Sequence, residues 1–365
     1  MINVIYDHQI FWWQQHGGIS RYFYELAKRV SSSAEFTASV IAPLHVNQYL
    51  RDGGVNVSGI LVPPIPRTRR MMAIANRSAA SILLKLFRPN LVHETFFQVT
   101  SRAPKNCPAV ITVHDMIHEK FVSRQVSSDR ITAVKRAAVQ RADRVICVSE
   151  STRHDLIDMF DPNPAKVTTI HHGFALNPSS SMAALPKSGR PFLLYVGKRA
   201  GYKNFGRLVQ SYSSSARLSS DFDLCVFGDR PFSRAEKDSL RDAGLREHQV
   251  THFSGDDGLL RHLYSSATAL VYPSLYEGFG MPPLEAMAMG CPVVCSNVSS
   301  IPEVVGEAGL YFNPTSIDDM REAMEQVASS TKIRTELIVR GRERAKLFSY
   351  DRCAAKTMDV YREVA

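Results

Sequence analysis

The chain alternates short apolar, β-branched runs with longer stretches whose apolar residues recur every three or four positions. A continuous apolar run of four to eight residues fits a strand buried on both faces. The 3.6-residue period fits a helix with one apolar stripe. On this basis INVIY (2–6), ASVIA (38–42), NLVHE (90–94), AVITVHD (109–115) and RVICVSE (144–150) are predicted strands, and 19–30 and 129–143 predicted helices. The stretch 171–191, HHGFALNPSSSMAALPKSGRP, has no period and is rich in Ser, Pro and small residues, which predicts a break. A second series follows: FLLYVG (192–197), DLCVFG (223–228), VTHFSG (250–255), ALVYPS (269–274), CPVVCS (291–296) and GLYFNP (309–314), with helices between and a long one at the end.

Strands alternating with helices predict parallel sheets covered on both faces. The expected fold is α/β, two Rossmann-like doubly wound domains. The expected boundaries are a first domain over 1–175, a linker over 176–191, a second domain over 192–345, and a C-terminal helix over 346–365 crossing back to the first. Ligands in such sheets bind beyond the carboxyl ends of the strands, so two of them would face each other across a cleft.

Composition narrows the class. A chain of 365 residues, 44% hydrophobic and 22% charged, suits a globular protein. No apolar run approaches the roughly 20 residues of a membrane helix, and MINVIYDHQI does not read as a secretory leader. The expected location is therefore cytoplasmic. The six cysteines form no C-x-x-C pair and are expected to be reduced packing residues. The net charge of +9 is uneven: residues 1–180 hold 21 Lys+Arg against 13 Asp+Glu, and residues 181–365 hold 23 against 22. A basic half suits nucleic acid, anionic lipid or a phosphorylated substrate. No nucleic-acid module is present, so a nucleic-acid partner is not expected.

The segment YPSLYEGFGMPPLEAMAMGCPVV (272–294) carries the most chemistry. A strand ends at Pro273, a glycine loop follows, and Pro282-Pro283 opens a short helix that stops at Gly290. Proline suits a first helical turn and glycine the C-terminal end. The loop Gly278-Phe279-Gly280-Met281 leaves backbone N–H groups at a helix N-terminus, a ready anion site. Glu277 and Glu285, eight residues apart, flank it and suit hydroxyls, which a carboxylate accepts. IFWWQQHGGISRY (10–22) sets Trp12 and Trp13, the only tryptophans, beside Gly17-Gly18 in an expected loop over 10–18. By themselves Gly17-Gly18 could be a turn, His114 a core histidine, and Arg199 and Lys203 a solvated patch. DFD (221–223) has the look of a metal motif but falls at the start of a strand; it is read as a turn, and no metal is expected.

These segments together make the chain similar to the family 4 retaining glycosyltransferases, which have the GT-B fold, from residue 2 to about residue 362. EGFGMPPLE resembles the family's E-x7-E motif, HGGISRYFYELAKRV (16–30) its glycine-rich first loop and VHD (113–115) its central histidine motif. YVGKRAGYKN (195–204) resembles its basic phosphate clamp, and SSIPEVVGEAGLYFNP (299–314) the segment after the E-x7-E helix.

The resemblance implies a nucleotide diphosphate sugar as donor substrate, no cofactor, and transfer with retention through an oxocarbenium-like transition state. It places Glu277 under the donor sugar and Glu285 on the ribose. The amides of Phe279, Gly280 and Met281 would meet the sugar and distal phosphate, with Gly278 and Leu284 beside them. Arg199 and Lys203 would hold the leaving diphosphate, with Lys198 the competing basic residue. His114 would contact the donor sugar, and Gly17 and Gly18 would let backbone approach the distal phosphate. Gly197 and Gly255 complete the donor side, with the base near FSG (253–255). Phe11, Trp12, Trp13 and Asp115 would border the acceptor, one tryptophan packing beneath the loop.

GGISRYFYEL and GKRAGYKN are similar to segments of bacterial mannosyl- and rhamnosyltransferases of surface polysaccharides, which favours GDP-mannose or a GDP-deoxyhexose; a UDP-sugar is the alternative. The implied setting is O-antigen, capsule or exopolysaccharide synthesis on a saccharide acceptor, lipid-linked. The stretch 63–90 joins Arg67, Arg69 and Arg70 to Met71, Met72, Ile74, Ile82, Leu83, Leu84, Leu86 and Phe87. It reads either as a basic amphipathic element on the anionic inner face of the plasma membrane or as ordinary core packing. Other classes fit less well. A periplasmic-type sugar-binding protein would need a leader and no phosphate clamp. A nucleotide-sugar epimerase would need no acceptor. A nicotinamide dehydrogenase would need G-x-G-x-x-G where this chain has HGGISR.

Overall fold

A computed structural model describes residues 1–63, 68–121, 126–174, 189–199, 201–228 and 230–365. The chain divides into two units, Met1–Gly173 with Tyr350–Ala365, and Phe174–Ser349. The expected linker lies, over 176–188, outside the described residues.

Unit 1 is built on a parallel sheet of seven strands: β1 Ile2–Tyr6, β2 Phe36–His45, β3 Asn56–Leu61, β4 Leu91–Glu94, β5 Ala109–Val113, β6 Arg144–Cys147 and β7 Val167–Thr169. Their spatial order is β3-β2-β1-β4-β5-β6-β7. The strands β1, β5 and β6 are largely apolar runs, as their sequence predicts, and β4 is buried throughout although it ends in His93 and Glu94. Two strands lack that signature. β3, at the edge, is half polar and exposed, and β7 has three residues. Gly59 in β3 lies so close to β2 that a Cβ there would stand 1.7 Å from the Ala42 carbonyl oxygen, beside a register shift between Ile41 and Leu44. The helix Tyr350–Val364 belongs to this unit and packs against the helix Gly18–Ser31. Its Tyr361 hydroxyl lies 3.0 Å from that of Tyr6.

The helix Arg69–Phe87 has one buried and one exposed face. Ala80 and Leu84 pack with Ile5, Ile41 and Val92, and the buried Asn76 side chain bonds both the N–H and the carbonyl of Leu44. Met71, Ile74, Ile82 and Leu86 are exposed on the other side. Arg67 lies outside the described residues.

Unit 2 has six parallel strands: β8 Phe192–Val196, β9 Asp223–Phe227, β10 Val250–Phe253, β11 Ala269–Tyr272, β12 Val293–Ser296 and β13 Gly309–Phe312, in the order β10-β9-β8-β11-β12-β13. Leu193, Tyr195, Leu224, Val226, Val271 and Val294 meet Met320, Met324 and Val327 of the helix Ile317–Ser329 in its core. Both units thus have the doubly wound α/β architecture. In each, strand order reverses once, between β1 and β4 and between β8 and β11. Chains leaving neighbouring strands in opposite directions open a crevice at their carboxyl ends.

Candidate active site

At the switch point of unit 2, β8 runs into a loop that bends at Gly197 (φ 135°) and Gly201 (φ 47°) before a turn of 3-10 helix, Gly201–Lys203. Asn204, itself left-handed at φ 60°, donates from its buried side-chain amide to the carbonyls of Pro273 (3.0 Å) and Pro314 (2.7 Å). The Leu275 N–H donates to the Tyr202 carbonyl at 2.7 Å. The loops after β8 and β11 are therefore stitched together. That brings Lys203 Nζ to 2.6 Å from Glu277 Oε1 and 3.4 Å from the Tyr272 hydroxyl. The Tyr272 phenol is pushed well above its usual range, first by burial and then by Glu277.

Glu277 is held through its backbone. Its N–H donates to Ser299 Oγ at 2.9 Å, and the buried Ser300 hydroxyl lies 2.9 Å from the Glu277 carbonyl and 2.8 Å from that of Phe279. Gly280, at φ 113°, turns the chain into the helix Met281–Ala288, with Pro282 and Pro283 in its first turn. A side chain at Gly280 would strain that turn. Phe279 is buried on Phe348, and Leu284 is fully buried. Glu285 accepts from the Tyr264 hydroxyl at 3.1 Å. Around the expected base position, Phe253 is half-buried and Gly255 exposed, and Asp256 caps the helix Asp257–Ser266.

Arg199 is placed differently from Lys203. Its guanidinium donates to Glu236 (Nε to Oε1, 2.7 Å) and to the Arg230 carbonyl (2.8 Å), and lies 4.6 Å from the centre of the Phe232 ring. Glu236 closes a capping box with Ser233. Its carboxyl is pulled down to about 2, chiefly by the Arg199 hydrogen bond, against a burial cost, with smaller help from the Ser233 bonds. Lys198 is exposed.

In unit 1 the expected loop over 10–18 is corrected: Gln9–Trp13 is a helical turn. Ile10 and Phe11 are buried, and the Ile10 N–H donates to Thr95 Oγ1 at 3.1 Å, which winds the segment onto the sheet end. Trp12 is half-buried, while Trp13 is exposed with its ring 5.0 Å from that of Phe96. Gly17 precedes the helix Gly18–Ser31 with the Gln14 side chain against it; a Cβ on Gly18 would meet nothing within 4 Å. His114 follows β5, its Nδ1 at 3.2 Å from His172 Nε2, and the Tyr22 ring stands edge-on to both imidazoles. Asp115 accepts from the Ile117 N–H at 3.1 Å, a local turn at the start of the helix Ile117–Phe121.

Lys203, Glu277 and the Gly278–Met281 turn are thus brought together, with Glu285 on the same helix. Arg199 is engaged by Glu236. Asn204, Tyr264, Tyr272, Glu236, Ser299, Ser300 and His172 complete these arrangements and were not singled out from sequence. Asn204, Tyr272, Ser299 and Ser300 lie inside the segments 195–204, 272–294 and 299–314; for Glu236 the only local sign is the S-x-x-E capping pattern at Ser233. Among the described residues no group of three or more His, Cys, Asp or Glu is placed to hold a metal, and no helix is long and apolar enough to cross a membrane. Asp223 of DFD opens β9 and pairs with Arg190 at 3.2 Å.

Two parallel doubly wound units, one carrying a lysine, two glutamates and a proline-opened helix at its switch point, define a glycosyltransferase of the GT-B architecture. Residues 16–177 match the family described as Glycosyltransferase Family 4, and residues 179–344 match Glycosyl transferases group 1. The chain is 28% identical to O-antigen chain mannosyltransferase B of Escherichia coli, over 94% of this chain and 96% of that one. Among solved structures, sucrose-phosphate synthase from Thermosynechococcus elongatus superposes with a TM-score of 0.77 at 20% identity, over 100% of this chain and 99% of that one. WaaG, a glycosyltransferase involved in lipopolysaccharide biosynthesis, does so with a TM-score of 0.73 at 18% identity, over 99% of each chain. The protein belongs to the family 4 glycosyltransferases.

Proposed function

We propose that the protein transfers mannose or a deoxyhexose from a GDP-sugar to a hydroxyl of a saccharide acceptor, lipid-linked, with retention at the anomeric carbon, in the synthesis of a bacterial surface polysaccharide. The observation that carries this reading is the Lys203–Glu277 pair at the switch point of unit 2, beside the glycine turn that opens the helix Met281–Ala288. A cation and converging backbone N–H groups suit a leaving diphosphate, whose charge grows as the bond to the sugar breaks. A carboxylate beside them suits sugar hydroxyls and a carbon that becomes cationic.

In this mechanism the anomeric carbon–phosphate oxygen bond breaks as the acceptor oxygen bonds the same face. The acceptor's proton passes to the departing diphosphate. Lys203 and the Phe279–Met281 amides hold that diphosphate, and Arg199 adds its charge from the place Glu236 fixes. Glu277 positions the sugar and stabilises the cationic carbon, and Glu285, steadied by Tyr264, takes the ribose. His114 meets the donor sugar, with Gly17 and Gly18 near the distal phosphate and Gly197 and Gly255 on the donor side. Trp12, Trp13 and Asp115 are assigned to the acceptor side. No metal is assigned, because side-chain and backbone donors answer the diphosphate charge. The mannosyl preference follows the O-antigen mannosyltransferase likeness. The exposed face of Arg69–Phe87, with Met71, Ile74, Ile82 and Leu86, suits the basic amphipathic reading of 63–90, on anionic lipid at the cytoplasmic side.

The test is thermal stabilisation and slow donor hydrolysis with GDP, GDP-mannose, UDP and UDP-sugars, all with EDTA. Stabilisation by GDP and turnover of GDP-mannose are expected. Preference for UDP overturns the donor, and a requirement for metal overturns the metal-free mechanism. No nucleotide binding overturns the site. Failure to float with anionic vesicles at low salt removes the membrane role.

A further inference from the structure

His114 and His172 come from different connections of the unit 1 sheet. His114 directly follows β5, and His172 lies three residues beyond β7; β6 runs between them, pairing Cys147 with Val113 on one side and Thr169 on the other. Both imidazoles therefore stand past the same end of the sheet. Their facing nitrogens are 3.2 Å apart, His114 Nδ1 to His172 Nε2, with the rings tilted by 30°. Tyr22 fixes the pair from one side, its ring centre 5.1 Å from that of His114 and 4.6 Å from that of His172. The Tyr22 hydroxyl lies 3.4 Å from Thr112 Oγ1, which is 2.9 Å from His93 Nε2.

Two nitrogens at this distance must share one proton. A neutral imidazole has a single N–H, so whichever ring donates across the contact sets where the other ring carries its own proton. Both rings are held neutral. Burial and then His172 keep His114 well below the usual histidine range, and burial pushes His172 down to about 3. The other nitrogen of His114, Nε2, is buried and has no hydrogen-bond partner among the described residues. Such a group calls for an explanation, and a ligand oxygen is one.

We propose that His172 is a positioning residue for His114: it donates from Nε2–H to His114 Nδ1 and so keeps the His114 proton on Nε2, directed at an oxygen of the donor sugar. The direction rests on the function proposed above. Every oxygen of a nucleotide sugar can accept a hydrogen bond, whereas only its hydroxyls can donate. An N–H at Nε2 therefore serves any of them, and a bare nitrogen only some. The substrate class is unchanged; what is added is the residue that orients the polarity of the contact.

The experiment is nitrogen NMR of the full chain labelled with 15N-histidine, the His114 signals identified by their loss in His114→Gln. A pyrrole-like Nε2 and a pyridine-like Nδ1 are expected for His114 in the wild type. His172→Leu should leave His114 a mixture of the two tautomers. It should also lower kcat by about three- to tenfold, the worth of one hydrogen bond, with donor KM little changed. His172→Gln, whose amide can donate to Nδ1, should restore both. Urea unfolding followed by the fluorescence of Trp12 and Trp13, both in unit 1, serves as the control for folding. A pyridine-like Nε2 in the wild type overturns the proposal, even where His172→Leu does not fold, and so does a His114 tautomer indifferent to residue 172. Full turnover in His114→Gln would instead remove His114 from the reaction and leave the tautomer result standing, so the two failures are distinguishable.

Discussion

Lys203 and Glu277 meet at 2.6 Å across the switch point of unit 2, one from the loop after β8 and the other from the loop after β11. Their side chains are only 13% and 9% exposed, so water screens the pair weakly. Under the proposed function, a diphosphate drawn to Lys203 would also meet the opposing field of Glu277.

Glu277→Gln separates these effects. It removes the carboxylate charge and keeps the shape. GDP, or UDP should that be the nucleotide, is expected to bind about three- to tenfold more tightly, while turnover falls by about a hundredfold. Calorimetry and product formation give the two numbers. Weaker nucleotide binding in this variant would mean the carboxylate contacts the nucleotide itself. Lys203→Ala should lose about a hundredfold in kcat/KM and also lower Tm, since it leaves Glu277 buried without its cation.

Ser300 tests whether the glutamate loop has to be held. Its one hydroxyl lies within hydrogen-bond reach of the carbonyls of both Glu277 and Phe279. Ser300→Ala is expected to cost about 1–2 kcal/mol of stability by leaving buried carbonyls short of a donor. Turnover should fall further than donor binding, because the displaced group is Glu277. Urea unfolding and steady-state kinetics on one preparation decide it; equal losses in kcat and in donor affinity would reduce Ser300 to a structural role.

The fold could be read because parallel strands buried on both faces are unbroken apolar words. β5, β8 and β11 are such words, and each was found. β3 escaped because an edge strand keeps polar residues, and β7 because three residues carry no period. At the site, E-x7-E and YKN mark residues local in sequence. The partners that fix them are not local: Glu236 is 37 residues from Arg199, Tyr264 is 21 from Glu285 and His172 is 58 from His114. Only the sheet order brings these together, and strand order is not written in any one segment. Gln9–Trp13 was expected to be loop because its helical turn is set by Thr95, 85 residues away from Ile10.

Arg199 and Glu236 give a third prediction. The guanidinium reaches a carboxylate and a backbone carbonyl together, a geometry that a lysine ammonium cannot copy. If Glu236 fixes Arg199 for the diphosphate, Glu236→Ala should raise the donor KM by about three- to tenfold with a smaller change in kcat. Arg199→Lys should behave like Arg199→Ala. Wild-type KM in Glu236→Ala would confine this pair to stabilising the helix Arg234–Asp242.

Acid should unfold unit 1 through its buried histidines. Burial lowers His93 and His172 to about 3 and His8 to about 4, with Arg102 and Arg77 adding to the effect at His8. In the unfolded chain each titrates near 6.5. Between these values the unfolded state binds more protons, so stability is complete above about pH 6.5 and falls as pH drops below it. Each histidine contributes about 1 kcal/mol between pH 6.5 and 5.5, where its unfolded form goes from half to about nine-tenths protonated, or roughly 3 kcal/mol for the three. Trp12 and Trp13, the only tryptophans in the chain, both lie in unit 1, so their fluorescence follows that unit alone. The urea midpoint they report should fall clearly from pH 7 to 5.5. His93→Gln, which can keep a bond to Thr112 or Tyr361, should flatten that slope in part, the other buried histidines of the unit, His114 among them, keeping the rest. A midpoint that stays level over this range would mean that these imidazoles accept protons inside the folded unit, and that their burial does not hold them neutral.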